Sequence, residues 1–276
     1  MVGLRKVHTG CKNCYAETWS NRKMHDATNL WGEDAPRRVI KSAFTDLHKY
    51  QNRAAKDNSK LVIFMGSMMD IFEDSKPTIN LKGEPLDFEM DGYSGTSWLR
   101  YDLFTRINAG MYPDLIFLFL TKRPENINKY IFSNWKEKAP SNVWFGTSCS
   151  DQETANKYIP RLLKVKGNKF LSIEPQTGEI DLYRIDADLG GDKQWCMINC
   201  LNGKQTDMGR PCEQIPTIDW VIQGGESGPK KRPFNINWAE NMVDQCQLTD
   251  VPYFFKQIDK IQTIPKHLNI KELPKF

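Results

Sequence analysis

The sequence predicts an α/β fold, either a TIM-like barrel or a doubly wound sheet, carrying insertions. Three observations point there: six short runs rich in Val, Ile, Leu and Phe recur along the 276 residues, stretches able to form helices lie between them, and a polar or glycine-containing tip follows each run. Continuous apolar runs mark strands covered on both faces, as in a parallel sheet. Their alternation with helical stretches marks an α/β barrel or a doubly wound sheet. One domain over residues 1–276 suits that class, since barrels run past about 250 residues as single units.

The first run is Leu61-Val62-Ile63-Phe64-Met65, and its tip reads Gly66-Ser67 with Asp70 just beyond. The second, Leu115 to Leu120, ends in Thr121-Lys122-Arg123-Pro124. The third, Val143-Trp144-Phe145, leads into Gly146-Thr147-Ser148-Cys149, and the fourth, Lys169 to Ile173, into Glu174-Pro175. The fifth, Trp220-Val221-Ile222, opens onto Gln223-Gly224-Gly225-Glu226-Ser227-Gly228, and the sixth, Tyr253-Phe254-Phe255, onto Lys256-Gln257. Gln152 to Lys164 places Ala155, Tyr158, Ile159, Leu162 and Leu163 at helical spacing, and Trp238 to Cys246 reads the same way. Two stretches, 73–100 and 176–217, break the pattern and read as insertions; loops of that length are functional lids or excursions.

Ligands of parallel α/β folds sit beyond the carboxyl ends of the strands, so the tips supply the candidate ligand contacts. These are Ser67, Asp70, Lys122, Arg123, Ser148, Glu174, Gly224, Gly225, Glu226, Ser227 and Lys256. Paired glycines let a backbone approach a ligand, and the carboxylate of Glu226 would take an amine or a ribose hydroxyl; the plainer reading is a strand-to-loop turn. Arg123 could bind an anion bidentately or stand in a surface loop. Ser67 and Ser148 could equally cap helices.

Cys11 and Cys14, in Gly10-Cys11-Lys12-Asn13-Cys14-Tyr15-Ala16, carry the sharpest chemical signal. Two thiolates at this spacing can grip one metal. Iron–sulfur clusters take closely spaced cysteines, structural zinc takes two such pairs, and a redox pair stands beside a strand and a helix; two inert buried thiols are the bland alternative. Cys196-x3-Cys200-x11-Cys212 could form a second metal site, lend the first pair a ligand, or hold ordinary thiols. Cys149 and Cys246 sit in apolar surroundings and read as core. An odd total of seven cysteines argues against a disulfide framework. The four histidines show no ligand spacing, and no nucleophile elbow is present.

Composition excludes other classes. With 39% hydrophobic and 26% charged residues and no apolar run of membrane-spanning length, a soluble globular protein with no membrane partner is expected. No secretory pattern opens the chain, so a cytoplasmic location is expected. A net charge of +4 tolerates a polyanionic partner without demanding one. The basic runs Arg37-Arg38 and Lys230-Lys231-Arg232 read as solvated surface or as short phosphate tracks.

Taken together, Gly10-Cys11-x2-Cys14-Tyr15-Ala16-Glu17, Gly66-Ser67-Met68-Met69-Asp70-Ile71-Phe72, Leu120 to Pro124, Phe170 to Pro175, Trp220 to Gly228 and Phe254 to Gln257 resemble a family of phage and prophage proteins related to radical S-adenosylmethionine enzymes, distant relatives of spore photoproduct lyase. The match runs nearly end to end. The resemblance implies a partial barrel of the radical S-adenosylmethionine type, a [4Fe-4S] cluster held by three cysteines, and S-adenosylmethionine bound at the iron left open. Cys11 and Cys14 would be two of the metal ligands. Such enzymes cleave the cofactor reductively and abstract hydrogen from a substrate; the phage context implies a nucleotide or nucleic-acid substrate.

The chain departs from the family at one ligand. The family's first motif cysteine lies seven residues before Cys11 in a Gly-Cys-x-Lys-Val frame, and here Gly3-Leu4-Arg5-Lys6-Val7 puts Leu4 at that place. Three explanations stand open: a misplaced or truncated start, loss of the cluster, or substitution by a cysteine such as Cys200 or Cys212. Two rival readings follow, a cluster-less barrel that binds nucleic acid or protein, gripping nucleic acid through Lys122, Arg123 and the Lys230 to Arg232 run, and a scaffold stabilised by zinc on Cys11, Cys14 and two insertion cysteines.

Overall fold

A computed structural model describes residues 2–3, 9–14, 16–18, 29–40, 42–187, 196–207, 210–211, 214–228 and 230–276. Leu4, Tyr15 and Cys212, on which parts of the motif reading fall, lie outside them. Among the described residues the central element is a six-stranded parallel sheet made of the six predicted runs: β1 (Leu61–Met65), β2 (Leu115–Thr121), β3 (Val143–Ser148), β4 (Asn168–Ile173), β5 (Trp220–Gly224) and β6 (Tyr253–Gln257). The strands lie side by side in chain order, and the sheet curls into a half-barrel. All five pairings are parallel, from Leu61 beside Leu115 to Val221 beside Tyr253.

Because side chains alternate across a strand, each run divides between two apolar environments. On β2, Leu115, Phe117 and Phe119 face the main core, and Ile116 and Leu118 face the inside of the curl. That inner layer also takes Trp144, Phe170, Trp220 and Ile222, with Val62, Leu120 and Phe254 against it. Both faces are therefore covered, which is why the runs show no polar alternation. Gly146 is part of the inner layer's packing: a Cβ there would come within 2.3 Å of the Phe170 ring, which lies across the glycine. At the amino ends of the strands, Phe276 meets Trp144 and Trp220 edge-on at 5.4 and 6.1 Å between ring centroids, and the Trp220 indole donates to the Glu272 carbonyl at 3.1 Å. The end of the chain thus covers the lower inner face.

Helix α1 (Ala43–Lys56) precedes β1 and turns Leu47 and Ala54 inward; Gln51 on it accepts from the Asp114 backbone N–H at 3.0 Å, fixing the entry to β2. Helix α2 (Gly95–Asn108) starts inside the stretch read as an insertion over 73–100. The Ser97 hydroxyl accepts from the Ser94 backbone N–H at 3.1 Å, so polar residues that read as loop act as a helix start. Helix α3 (Gln152–Leu163) begins at Asp151, whose carboxylate accepts from the Thr154 N–H at 2.9 Å; helix α4 (Ile236–Gln247) is capped by Asn235. Between β4 and β5 the described part of the second insertion is a small antiparallel sheet of Ile185–Ala187, Cys196–Ile198, Gln205–Asp207 and Arg210–Pro211.

The run Arg37-Arg38 is corrected by the structure. Both side chains are 1% exposed, and Arg37 donates to Glu73 through Nε at 2.9 Å and pairs with the same carboxylate through Nη2. It is neither a solvated surface nor a phosphate track. No helix among the described residues is long and apolar enough to cross a membrane.

Candidate functional site

At the carboxyl ends of the strands, on the inside of the curl, lies a cavity of about 150 Å³, room for on the order of ten waters. Phe64 and Leu120 belong to its apolar part. Around it stand Ser67 and Asp70 after β1, Lys122 and Arg123 after β2, Ser148 on β3, Glu174 after β4, Gly225, Glu226 and Ser227 after β5, and Lys256 on β6. Cys11 and Cys14 face the same cavity with Gly10 and Asn13. Gly224, also a candidate, does not line it: its carbonyl accepts from the Gln176 N–H at 3.0 Å, inside the fold.

The three rim carboxylates are each tied to protein groups. Asp70 accepts from the Thr121 hydroxyl and from Arg123 Nη1, both at 2.8 Å, from the Phe72 N–H at 3.0 Å and from the Lys122 N–H at 3.3 Å. Arg123, which also lines the cavity, thus has its Nη1 taken by Asp70. Glu174 accepts from Lys256 Nζ at 2.9 Å and from Gln257 Nε2 at 3.3 Å. Glu226 accepts from Arg232 through Nη2 at 2.5 Å and through the backbone N–H at 2.7 Å. Burial pushes the Glu226 carboxyl up, but the Arg232 and Asn13 hydrogen bonds outweigh it and hold the group below its ordinary value.

Glu226 also anchors the cysteine segment. Asn13 Nδ2 donates to its Oε2 at 3.2 Å and to the Lys230 carbonyl at 2.8 Å. The Cys11 end of the pair closes a single helical turn, Thr9–Cys11, and the Cys14 carbonyl accepts from the Thr18 N–H at 3.2 Å as helical geometry resumes over 16–18. These contacts hold two thiols toward the loaded tips.

Two thiols do not make the three-thiolate donor set of the cluster that the resemblance implies. Among the described residues no three His, Cys, Asp or Glu side chains converge as metal ligands. Cys196 and Cys200 are packed in the main core and do not reach the cavity, so neither completes the Cys11 and Cys14 pair here. Burial pushes the Cys246 thiol up to about 12, and the same cause raises the Cys149 and Cys200 thiols well above their ordinary value. Iodoacetamide at neutral pH is therefore expected to label Cys14, which is part-exposed, while Cys149, Cys200 and Cys246 react only after unfolding. Peptide mass mapping with and without denaturant checks this, and equal labelling of all four would contradict it.

Ser172 was not among the tip candidates, yet it lines the cavity. Its signal is the strand period: it stands two residues from Phe170 and two from Glu174, on the inner face of β4. Arg232, read as part of a solvated or phosphate-binding run, and Asn13, to which the sequence gives no role, both hold Glu226, a contact across more than 200 residues in the case of Asn13.

No curated protein and no solved structure matches the chain. A family model matches residues 1–272, and the chain belongs to that family, Protein of unknown function (DUF5131).

Proposed function

We propose that this protein is a radical S-adenosylmethionine-like half-barrel of phage type whose cleft takes up S-adenosylmethionine, as the resemblance implies, and a small substrate of the nucleotide class. The observation that supports the reading is the meeting of Cys11 and Cys14 with polar tips from all six strands in one cavity. The chain offers two thiolates there, and Leu4 stands where the family has the third. Two thiolates leave an iron–sulfur cluster labile, so the reading assigns this chain a binding cleft first, with Cys11 and Cys14 as partial metal ligands.

The rival reading, a nucleic-acid grip, loses most of its residues to internal pairs. Arg123 is held by Asp70, Lys231 bridges Asp259 at 2.8 Å, and Arg232 is held by Glu226. A small ligand inside the curl fits the cavity better than a strand laid across the rim.

Calorimetric titration with S-adenosylmethionine and with adenosine is expected to show saturable binding. Phe64→Ala should weaken it about tenfold, since stacking on an aromatic ring contributes about 1–3 kcal/mol per base. Anaerobic iron and sulfide reconstitution is expected to leave wild type with little retained iron after gel filtration and Leu4→Cys with a stable visible chromophore. No saturable binding of either nucleoside rejects the cleft. Equal iron loss from both proteins rejects Cys11 and Cys14 as cluster ligands.

A further inference from the structure

We infer that Lys122, Ser148 and Ser172 form a phosphate subsite, so that the nucleotide-class substrate of this cleft carries a phosphomonoester. The inference rests on the cleft reading above and deepens it by naming the ligand's charged group.

Strand register brings the three together. Thr121 pairs with Thr147, which sets Lys122 beside Ser148 one step on, and Ser148 pairs directly with Ser172. All three line the cavity. Neighbouring strands lie about 4.8 Å apart, so this row presents donors from three strands across about 10 Å of the inner face.

Charge selects the ligand's sign. The carboxylates lining the cavity are Asp70, Glu174 and Glu226, and each has a cation: Arg123, Lys256 and Arg232. Lys122 uses its backbone N–H toward Asp70, while its ammonium makes no hydrogen bond or ion pair among the described residues. Among the described residues the Lys122 ammonium is thus the cavity-wall cation that no carboxylate pairs.

A second, independent feature points to the same spot. The Ser148 hydroxyl is buried and has no hydrogen-bond partner among the described residues, with the residue only 1% exposed. Buried hydroxyls are costly to leave unpaired, and an anion lying between Ser148, Ser172 and the Lys122 ammonium would accept from all three. A tetrahedral phosphate offers one oxygen to each strand; a planar carboxylate offers two in all. Because Ser148 is enclosed, a terminal phosphate on a small molecule reaches it and an internal phosphodiester of a nucleic acid does not.

The test compares adenosine 5′-monophosphate with adenosine by calorimetry, and inorganic phosphate with acetate by ³¹P line broadening and competition. The monophosphate is expected to bind about tenfold or more tighter than adenosine, as charge-assisted hydrogen bonds would give. Lys122→Gln should erase that gain, Lys122→Arg should restore most of it, and Ser148→Ala should reduce it several-fold. Lys230→Gln, an exposed lysine outside the cavity, should have no effect. Equal affinities for adenosine and its monophosphate, a gain that survives Lys122→Gln, or acetate competing as well as phosphate overturns the subsite. If adenosine binds and phosphate adds nothing, this inference alone fails; if phosphate binds in a Lys122-dependent way and adenosine does not, the nucleotide reading fails and the subsite stands.

Discussion

Replacing Asp70 by Ala is expected to cost about 3 kcal/mol of stability and to disorganise the Lys122 side of the cleft. The carboxylate is almost buried, 7% exposed, against an Arg123 that is 14% exposed. It accepts four hydrogen bonds, from Phe72, Thr121, Lys122 and Arg123. Removing one member of a buried pair leaves the other's charge uncompensated, which typically costs about 3–5 kcal/mol; the partial exposure of Arg123 places this case at the low end. Asp70→Asn keeps an acceptor for Thr121 and Phe72 and should lose less. Urea unfolding of the three proteins checks the order, and an unchanged midpoint in Asp70→Ala would show that the tips of β1 and β2 are organised by something else.

Gly225→Ala is expected to destabilise the chain by about 3 kcal/mol, at the upper end of overpacking costs. A Cβ at Gly225 would stand 2.0 Å from the Ile258 carbonyl oxygen and 3.0 Å from Phe234 Cβ. The oxygen is backbone and cannot swing aside. Gly225 is also tied at both ends to Gln257, donating its N–H to that carbonyl at 2.9 Å and accepting from that side-chain amide at 3.2 Å. The added methyl must therefore separate the tips of β5 and β6, and with them Glu226 and Lys256. Gly224→Ala meets its nearest atom at 3.3 Å and should be much milder. Comparable losses for the two glycines, measured by unfolding midpoint, would refute the steric account.

Why the two glycines differ was not legible in the sequence. Gly224 and Gly225 are adjacent and chemically the same, and strand register decides which one faces the neighbouring loop. The same holds for Ser148 and Ser150, three residues and five residues past Phe145: both hydroxyls are buried without partners, but only Ser148 lines the cavity. The pairing of Arg123 with Asp70 was hidden for a related reason. A sequence shows a guanidinium at a strand tip; it does not show that Asp70, more than fifty residues earlier, arrives beside it.

The strands themselves were legible because a parallel strand covered on both faces must be apolar throughout, a property written locally in runs such as Leu115 to Leu120. Their carboxyl ends were legible as the chemical end of the fold because every connection in such a sheet runs the same way. Local chemistry thus specified six strands, their direction and the polar character of their tips. Folding settled the rest: which charges cancel, that Arg37 and Arg38 are interior, that Ser172 belongs to the cleft and Gly224 does not, and that among the described residues Lys122 alone of the cavity-wall cations is left without a carboxylate. Those outcomes depend on distances between residues far apart in the chain, and such distances exist only once the strands have curled against one another.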